Sequence, residues 1–412
     1  MTRADDSTAA SGLGLVLSRV ADGTAQSRAE LVSVTGFSRT TVGQYLTQLF
    51  AAGLVEEAPE GMRRGGGRPS RLLRLAPDAA VVLAADIGET HARLAVTDLT
   101  PAILAENTIA IDLKDGPIIV LAQLADAYRA LLRTLRQNAR DVLGIGLGLP
   151  APVDHAGGRI VGPSVMPGWD DFDICGCLTT HLGVPVLVEN DVNLMTLSEF
   201  RAFWPDAAQF LFVKAGTGIG SGIVTDGRLY RGAQGAAGDI GHMQLDRTGG
   251  PLCRCGKQGC LEAHAAGWAV ARDLRAEGLL AQTARDVLRL MQAGNSATAL
   301  RLHEAGLVLG DAVANTVSVL NPSAIVIGGM LAEAGETLIS GIRSRVQERS
   351  LPLAFRHLSI QRARSGSDAG LLGAARLVID TRLQPRHADA TIAAHSRFKP
   401  GSRTRPQKLR LV

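Results

Sequence analysis

Residues 238–242 read Gly-Asp-Ile-Gly-His, and residues 253–262 read Cys-Arg-Cys-Gly-Lys-Gln-Gly-Cys-Leu-Glu. This stretch brings one histidine and three cysteines close together, with glycines between the cysteines where the chain can turn tightly. Thiolate and imidazole are ligands that zinc prefers, and four of them close a tetrahedral site without leaving a position for a reacting water. The sequence therefore predicts structural zinc as the cofactor, held by His242, Cys253, Cys255 and Cys260.

The alternative for these four residues is a set of buried thiols beside an unrelated surface histidine, which their short spacing argues against. Cys175 and Cys177 have no further ligand nearby, so we expect buried small hydrophobic residues or an incidental thiol pair. Asp239 and Glu262 lie in the same stretch as the predicted ligands. A zinc-pinned loop can therefore hold these two carboxylates at the edge of a ligand pocket.

Length and charge limit the classes of function. A chain of 412 residues predicts about three domains. No cationic start is followed by an apolar stretch and a cleavage site, and no apolar run approaches the roughly 18 residues needed to cross a bilayer. We therefore expect a soluble, cytoplasmic protein with no membrane partner. The net charge of +4 is too small to indicate nucleic-acid binding, so the distribution of charge must decide that question.

Three short helices are predicted within residues 11–53. Apolar residues at helical spacing mark the first, and Ser-Arg-Ala-Glu at 27–30 forms a capping box for the second. A tight turn at 35–37 precedes a third helix, which Ser38 can cap. In this helix-turn-helix arrangement the exposed first turn of the third helix presents side chains to DNA bases and phosphates. The predicted contacts are Ser38, Arg39, Thr40, Thr41 and Gln44.

A predicted hairpin follows, with strands at 54–56 and 72–75. Residues 61–75 contain five arginines and no acidic residue. An arginine-tipped hairpin beside a recognition helix suits the minor groove and its flanking phosphates, so we expect Arg64 and Arg68 to contact DNA. Two alternatives for residues 11–78 are a structural three-helix unit and a protein-interaction module.

The rest of the chain repeats one pattern. Strand 81–85 leads into a turn at Asp86-Ile-Gly88, and strand 210–213 leads into Gly-Thr-Gly-Ile-Gly at 216–220. Two similar α/β halves predict a pair of lobes facing a ligand cleft. The predicted domains are a disordered start (1–10), a winged helix-turn-helix domain (11–78), a first α/β lobe (79–190), a second α/β lobe with the zinc loop (191–380) and a basic, disordered tail (381–412).

Five motifs in order carry a family resemblance: Asp-Ile-Gly-x-Thr at 86–90, Glu-Asn-Asp at 189–191, Gly-Thr-Gly-Ile-Gly at 216–220, and the stretches at 238–242 and 253–262. Over about residues 10–380 the chain resembles the ROK family of sugar kinases and sugar-responsive repressors. The resemblance implies an α/β, two-lobed actin-like sugar-kinase fold that follows the winged helix-turn-helix, with a sugar in the cleft.

The same resemblance implies roles for site residues. Asn190 and Asp191 would bind sugar hydroxyls, and Asp191 would be the catalytic base if the chain were a kinase. Asp239, His242 and Glu262 would complete the sugar shell. The alternative for Asn190 and Asp191 is an N-cap for the helix after strand 186–188, a role compatible with ligand binding.

This chain departs from the family at several positions. Glu89-Thr-His91 stands where the kinases commonly have Thr-Lys after the glycine, and a carboxylate beside a triphosphate is repulsive by about 1 kcal/mol or more. Val165 falls where many members have an asparagine that contacts the sugar. Asp239 replaces the usual glutamate, so its carboxylate reaches less far. We therefore expect no kinase activity.

The sequence predicts a sugar-responsive transcriptional regulator, a repressor of carbohydrate uptake or catabolism genes, with operator DNA and a sugar or sugar derivative as partners. A two-fold oligomer, either a homodimer or a homotetramer, would match paired half-sites. The alternative is an ATP-dependent sugar kinase, similar to a hexokinase or glucokinase, that keeps a DNA-binding domain.

Overall fold

The computed structural model describes residues 11–58, 72–155, 157–161, 166–245, 249–395 and 409–410. Several predictions lie outside these residues. They concern the disordered start at 1–10, the wing contacts Arg64 and Arg68, the departure at Val165 and most of the tail beyond residue 395.

The N-terminal elements form a winged helix-turn-helix, as the sequence predicts. They are α1 (Gly12–Ala21), α2 (Arg28–Thr35), α3 (Arg39–Ala51), β1 (Val55–Ala58) and β2 (Leu72–Leu75). The side chains of Ser11, Ser27 and Ser38 each accept a backbone N–H from the first turn of the helix that follows. Gly36 ends α2 with φ of 72°, a left-handed conformation that glycine adopts without strain. The strands β1 and β2 pair antiparallel, with Val55 opposite Leu75.

The remaining elements alternate between strands and helices. In chain order they are β3 (Val81–Ile87), β4 (His91–Thr97), β5 (Ile103–Ala110), α4 (Pro117–Thr134), β6 (Val142–Leu149), β7 (Val153–Asp154), β8 (Arg159–Ile160), α5 (Ile174–Leu182), β9 (Val186–Asn190), α6 (Asp191–Phe203), β10 (Gln209–Ala215), β11 (Ile219–Thr225), β12 (Arg228–Tyr230), α7 (Leu261–Ala265), α8 (Gly267–Ala276), α9 (Ala284–Gln292), α10 (Ser296–Leu320), β13 (Ala324–Gly328), α11 (Glu336–Arg349), α12 (Pro352–Phe355), β14 (Ser359–Arg362), α13 (Ala369–Arg382), α14 (Pro385–His395) and β15 (Leu409–Arg410).

Two larger sheets organise these elements. One has six strands in the order β15-β5-β4-β3-β6-β9, and the other has five in the order β12-β11-β10-β13-β14. By contact density the chain forms two compact units: unit 1 comprises residues 1–147, 173–188 and 374–412, and unit 2 comprises residues 148–172 and 189–373. The predicted lobes are contiguous ranges. In the structure, residues 148–172 and 189–190 of the predicted first lobe belong to unit 2, and residues 374–380 of the predicted second lobe belong to unit 1. Among the described residues, no helix is both long enough and apolar enough to span a membrane.

The five-stranded sheet of unit 2 has a helical layer on each face, because its strands alternate their side chains. Phe210 and Phe212 of β10 pack with Phe200 of α6. Leu211 and Val213 point to the opposite face, where the core contains residues of α8, α10 and α11. Residues 210–213, with which the predicted second repeat begins, thus lie in a central strand of the sheet that is buried on both faces.

The prediction of a disordered tail from residue 381 is wrong for residues 385–395, which form α14. This helix packs on α1 within unit 1: Ala388 is buried, and a Cβ atom on Gly14 would lie 3.3 Å from its methyl group. Asp389 accepts hydrogen bonds from Ser11 N at 3.0 Å and Ser11 Oγ at 2.5 Å. A basic composition with prolines predicts disorder only when no partner surface exists, and α1 provides one.

We expect Asp389→Ala to loosen α1, because the substitution removes two hydrogen bonds from the residue that caps this helix. The expected loss is about 1 kcal/mol. Hydrogen exchange should show faster exchange of the α1 amides. Asp126→Ala is a suitable control, since Asp126 is an exposed carboxylate of α4 whose ion pair with Arg129 lies on the surface. Unchanged exchange in α1 would contradict an anchoring role for α14.

Candidate functional site

The candidate site in unit 2 is built on the antiparallel hairpin of β10 and β11, which the other elements of the site contact. The loop at 238–241 lies directly against β11, where Ser221 donates to the Gly238 carbonyl oxygen from its backbone N at 2.9 Å and from its hydroxyl at 2.8 Å. A Cβ atom at Gly238 would overlap the Ser221 carbonyl oxygen, and one at Gly241 would overlap that of Ile219. Glycine is therefore required at both positions.

Glu262 connects the same strand to α7. Its backbone N donates to the Gly241 carbonyl oxygen at 2.9 Å. Its Oε2 accepts a hydrogen bond from Ile219 N at 3.1 Å, and its Oε1 accepts one from the Trp268 indole at 3.3 Å. Both carboxylate oxygens have fixed donors, so this half-buried side chain has a defined orientation. Asp239, by contrast, is exposed on the loop beside Gly238.

Asn190 is the N-cap of α6. Its Oδ1 accepts hydrogen bonds from the backbone N of Val192 and Asn193, at 3.0 and 3.2 Å, and its Nδ2 donates to the Ala151 carbonyl oxygen at 3.2 Å. The capping role that the sequence suggested as an alternative thus belongs to Asn190. Asp191 is the first residue of the helix.

Lys214 forms an ion pair with Asp191, which the sequence analysis missed. Its Nζ lies 2.5 Å from Asp191 Oδ2, and the exposed fractions of the two side chains are 26% and 11%. The signal was present, because Lys214 is a charged residue at the end of the otherwise apolar stretch 210–213 of β10. The sequence does not identify Asp191 as the partner of Lys214, because that contact depends on how α6 packs on the hairpin of β10 and β11.

Glu189, immediately before this pair, is 1% exposed and has several donors. Asn193 Nδ2 donates to its Oε1 at 2.9 Å, and Arg231 Nε donates to its Oε2 at 2.6 Å. His155 Nδ1 lies 3.6 Å from the same Oε2. This buried carboxylate thereby joins β9, α6 and the segment after β12, and Arg231 is a second cation that the sequence analysis did not identify.

The four predicted metal ligands lie together. The ligand atoms of His242, Cys253, Cys255 and Cys260 are all within 4.8 Å of one another. Cys253 Sγ is 3.7 Å from His242 Nδ1, and Cys255 Sγ is 3.7 Å from Cys260 Sγ. Two zinc–sulfur bonds of about 2.3 Å at a tetrahedral angle separate the sulfurs by about 3.8 Å. The cluster therefore has the donor set and the spacing to hold one thiolate-binding metal ion.

The acidity of the thiols also fits a metal site. Burial, together with the neighbouring cysteines, raises the pKa of Cys260 to about 12, and burial raises the pKa of Cys253. Burial acts in the same direction on Cys255, but hydrogen bonds from the Lys257 backbone and from the other two thiols bring its pKa below the ordinary value. Three packed thiols resist losing their protons together, whereas a bound cation replaces those protons.

The predicted DNA contacts lie at the start of α3 in unit 1. Ser38, Arg39, Thr40 and Gln44 are exposed, and Thr41 is half-buried. Ser38 caps the helix by accepting from Thr41 N at 3.1 Å. The first turn of α3 thus presents an arginine and several short polar side chains to the surface.

The remaining predicted positions lie on unit 1. Glu89, Thr90 and His91 are exposed at the turn between β3 and β4, which Gly88 N closes by donating to the His91 carbonyl oxygen at 2.9 Å. Cys175 and Cys177 are half-buried on α5, rather than buried as expected. Burial and the nearby Asp173 carboxylate raise the pKa of both thiols.

Comparisons with known proteins extend this picture. The model of the ROK family matches residues 82–381. A glucokinase from Halalkalibacterium halodurans is 33% identical over 310 residues, which cover 71% of this chain and 93% of the glucokinase. The xylose repressor of Bacillus spizizenii is 27% identical over 368 residues, which cover 89% of this chain and 94% of the repressor.

Among solved structures, the chain is similar to a crystal structure described as a ROK family transcriptional regulator, a homolog of the E. coli MLC protein. The TM-score is 0.77 at 25% identity, and the match covers 92% of this chain and 98% of that one. Matches of this extent reach into the winged helix-turn-helix, because residues 1–78 are about a fifth of the chain.

Proposed function

The chain belongs to the ROK family, and we propose that it is a sugar-responsive transcriptional regulator, a repressor of genes for carbohydrate uptake or catabolism. It binds operator DNA through residues 11–78 and a sugar or sugar derivative through unit 2. The observation that carries this proposal is how much of the chain aligns with regulators and how much aligns with a kinase. The xylose repressor and the regulator structure align with about nine-tenths of the chain, and the glucokinase aligns with 71%.

DNA binding follows from the winged helix-turn-helix. The first turn of α3 enters the major groove with Arg39 and Gln44, and the arginines of the wing, Arg64 and Arg68, reach the minor groove and phosphates. The regulator acts in the cytoplasm as a homodimer or homotetramer, since two-fold symmetry places two recognition helices on paired half-sites.

The sugar shell consists of Asn190, Asp191, Asp239, His242 and Glu262. Ionised carboxylates accept hydrogen bonds from hydroxyl groups, and two of them contact the hairpin of β10 and β11: Asp191 pairs with Lys214, and Glu262 accepts from Ile219 N. His242 would serve both the metal and the sugar. The cap bonds of Asn190 fix the start of α6 and leave one Nδ2–H that would donate to a sugar hydroxyl, beside the Asp191 carboxylate.

Structural zinc is the proposed occupant of the cluster formed by His242, Cys253, Cys255 and Cys260. Four protein ligands leave no open position, so the ion would supply rigidity rather than chemistry. Cys260 lies two residues before Glu262, and His242 follows Gly241. The metal therefore supports the sugar shell from both ends of the loop.

An ATP-dependent sugar kinase is the second candidate, favoured by the 33% identity to a glucokinase. Asp191 would then be the catalytic base. Glu89 argues against it, because an exposed carboxylate at the first glycine turn repels a triphosphate. We therefore propose that catalysis has been lost and that ligand sensing remains.

For DNA binding, we expect Arg39→Ala to weaken operator affinity by about tenfold or more, as the loss of a base or phosphate contact at the recognition helix does. Operator affinity should also fall steeply as salt rises, because bound phosphates release counterions. Fluorescence anisotropy with labelled operator DNA measures both effects. Arg289→Ala, an exposed arginine of α9, is the charge-matched control. Equal affinities for the two variants, or binding insensitive to salt, would favour a protein-interaction role for residues 11–78.

For catalysis, we expect no ATP-dependent phosphorylation of hexoses by the purified chain. Glu89→Gly should tighten nucleotide binding by no more than about fivefold, the equivalent of roughly 1 kcal/mol of repulsion removed. Coupled detection of ADP and calorimetry with ATP test these points. Turnover that Asp191→Asn abolishes would establish the kinase instead.

For the metal, we expect the purified chain to carry about one zinc ion and Cys255→Ser to lose it. Cys177→Ser, a half-buried cysteine outside the cluster, should keep its zinc and is the matched control. Metal content by mass spectrometry and the stabilisation caused by sugar, measured by thermal unfolding, should fall together in Cys255→Ser. A metal-free Cys255→Ser variant with a normal sugar response would contradict a supporting role for the zinc.

A further inference from the structure

We propose that Lys214 is a positioning and specificity-determining residue of the sugar site: it holds the Asp191 carboxylate as an acceptor for a hydroxyl group of an uncharged, unphosphorylated sugar. This inference rests on the proposed function and adds to it the charge class of the effector. It also gives Asp191 a role that differs from that of a base.

The ion pair is built into the packing of unit 2. Lys214 of β10 is paired in register with Gly220 of β11, and a Cβ atom on Gly220 would lie 2.9 Å from Val192 Cγ2. Val192 directly follows Asp191 at the start of α6. The close approach of α6 to the hairpin thus brings Asp191 Oδ2 to 2.5 Å from Lys214 Nζ.

Burial makes this pair persistent. Removing one partner of a largely buried pair leaves the other charge only partly solvated, which is unfavourable. Proton transfer to Oδ2 would have the same effect, because it would separate the ammonium group from its anion. A base must accept a proton in the reaction, so the ion pair opposes that role. Accepting a hydrogen bond from a sugar hydroxyl keeps the pair intact.

The charges of the site then select the ligand. Lys214 is matched by Asp191 and Arg231 by Glu189. Within the described residues, Asp239 and Glu262 form no ion pair with a side chain, and Glu262 accepts hydrogen bonds from the neutral N–H groups of Ile219 and Trp268. The carboxylates therefore exceed the cations, and an added phosphate would meet repulsion.

The nearby zinc loop does not reverse this balance. Arg254 stacks on Trp268, with its Cζ 5.2 Å from the ring centroid. Three thiolates around a divalent ion would carry one net negative charge, and Arg254 and Lys257 carry two positive charges, so the loop would add one positive charge against the two carboxylates of Asp239 and Glu262. Arg272, at 5.5 Å from the same ring, is paired with Asp273. An uncharged sugar fits this environment, and a sugar phosphate does not.

The test measures binding of D-xylose, D-glucose and glucose 6-phosphate by calorimetry in the full chain. We expect at least one free aldose to bind, and glucose 6-phosphate to bind at least tenfold more weakly than the better aldose. Lys214→Met should weaken aldose binding by about tenfold or more, and Lys214→Arg should restore part of the loss. Lys114→Met, an exposed lysine outside the proposed site, is the control for loss of one cation.

A double-mutant cycle separates positioning from a general structural effect. Asp191→Asn and Lys214→Met combined should be no worse than the poorer single variant, because both remove the same interaction. Lys214→Gln serves the same comparison should Lys214→Met fail to fold. Additive losses, or aldose binding by Lys214→Met equal to that of the unchanged chain, would overturn the role of Lys214.

The charge class is tested separately. Asp239→Asn should narrow the preference for the free aldose over glucose 6-phosphate, whereas Asp226→Asn, at the opposite end of β11, should not. Glucose 6-phosphate binding as tightly as the free sugar would overturn the inference and leave the sugar-responsive regulator standing. If no aldose or aldose phosphate bound, both this inference and the proposed function would fail.

Discussion

The close contact between the loop at 238–241 and strand β11 is the constraint on which the candidate site depends. Two carbonyl oxygens of β11 occupy the space where side chains at Gly238 and Gly241 would begin. The loop can therefore lie flat on the strand, and the hydrogen bonds of Ser221 hold it there. Asp239 and His242 leave this loop on either side of Gly241. The Asp239 carboxylate and the metal ligand His242 are thus both positioned by the contact between this loop and β11.

Patterns read along the chain predicted what depends on neighbours in sequence. The caps at Ser27 and Ser38, the strand before Asn190 and the four clustered ligands all follow from spacing over a few residues. Lys214 and Arg231 were missed because their partners, Asp191 and Glu189, are determined by the register of the β10–β11 hairpin and the packing of α6. Composition likewise could not reveal α14, whose partner is α1 at the other end of the chain.

The relatives of this chain include both glucokinases and xylose repressors, and the proposed loss of catalysis rests on small changes of charge. A kinase needs a carboxylate that can take up a proton and a turn that tolerates a triphosphate. Here an ammonium group engages the carboxylate, and an acidic residue occupies the turn. Neither change disturbs the backbone, since the glycines that permit the turns remain. In the proposed regulator, a sugar site is retained while each of these two requirements of phosphoryl transfer is opposed by a single side chain.

The bond between Ser11 and Asp389 has a consequence for how the protein is made. The two residues are 378 positions apart, so the first helix emerges from the ribosome long before the residue that anchors it. At the usual elongation rate of about 5 to 20 residues per second, that interval lasts roughly 20 to 75 s. During this time a nascent chain carries a helix-turn-helix unit without its C-terminal anchor. Synthesis of α14 is thus the step that lets Asp389 anchor α1 within unit 1.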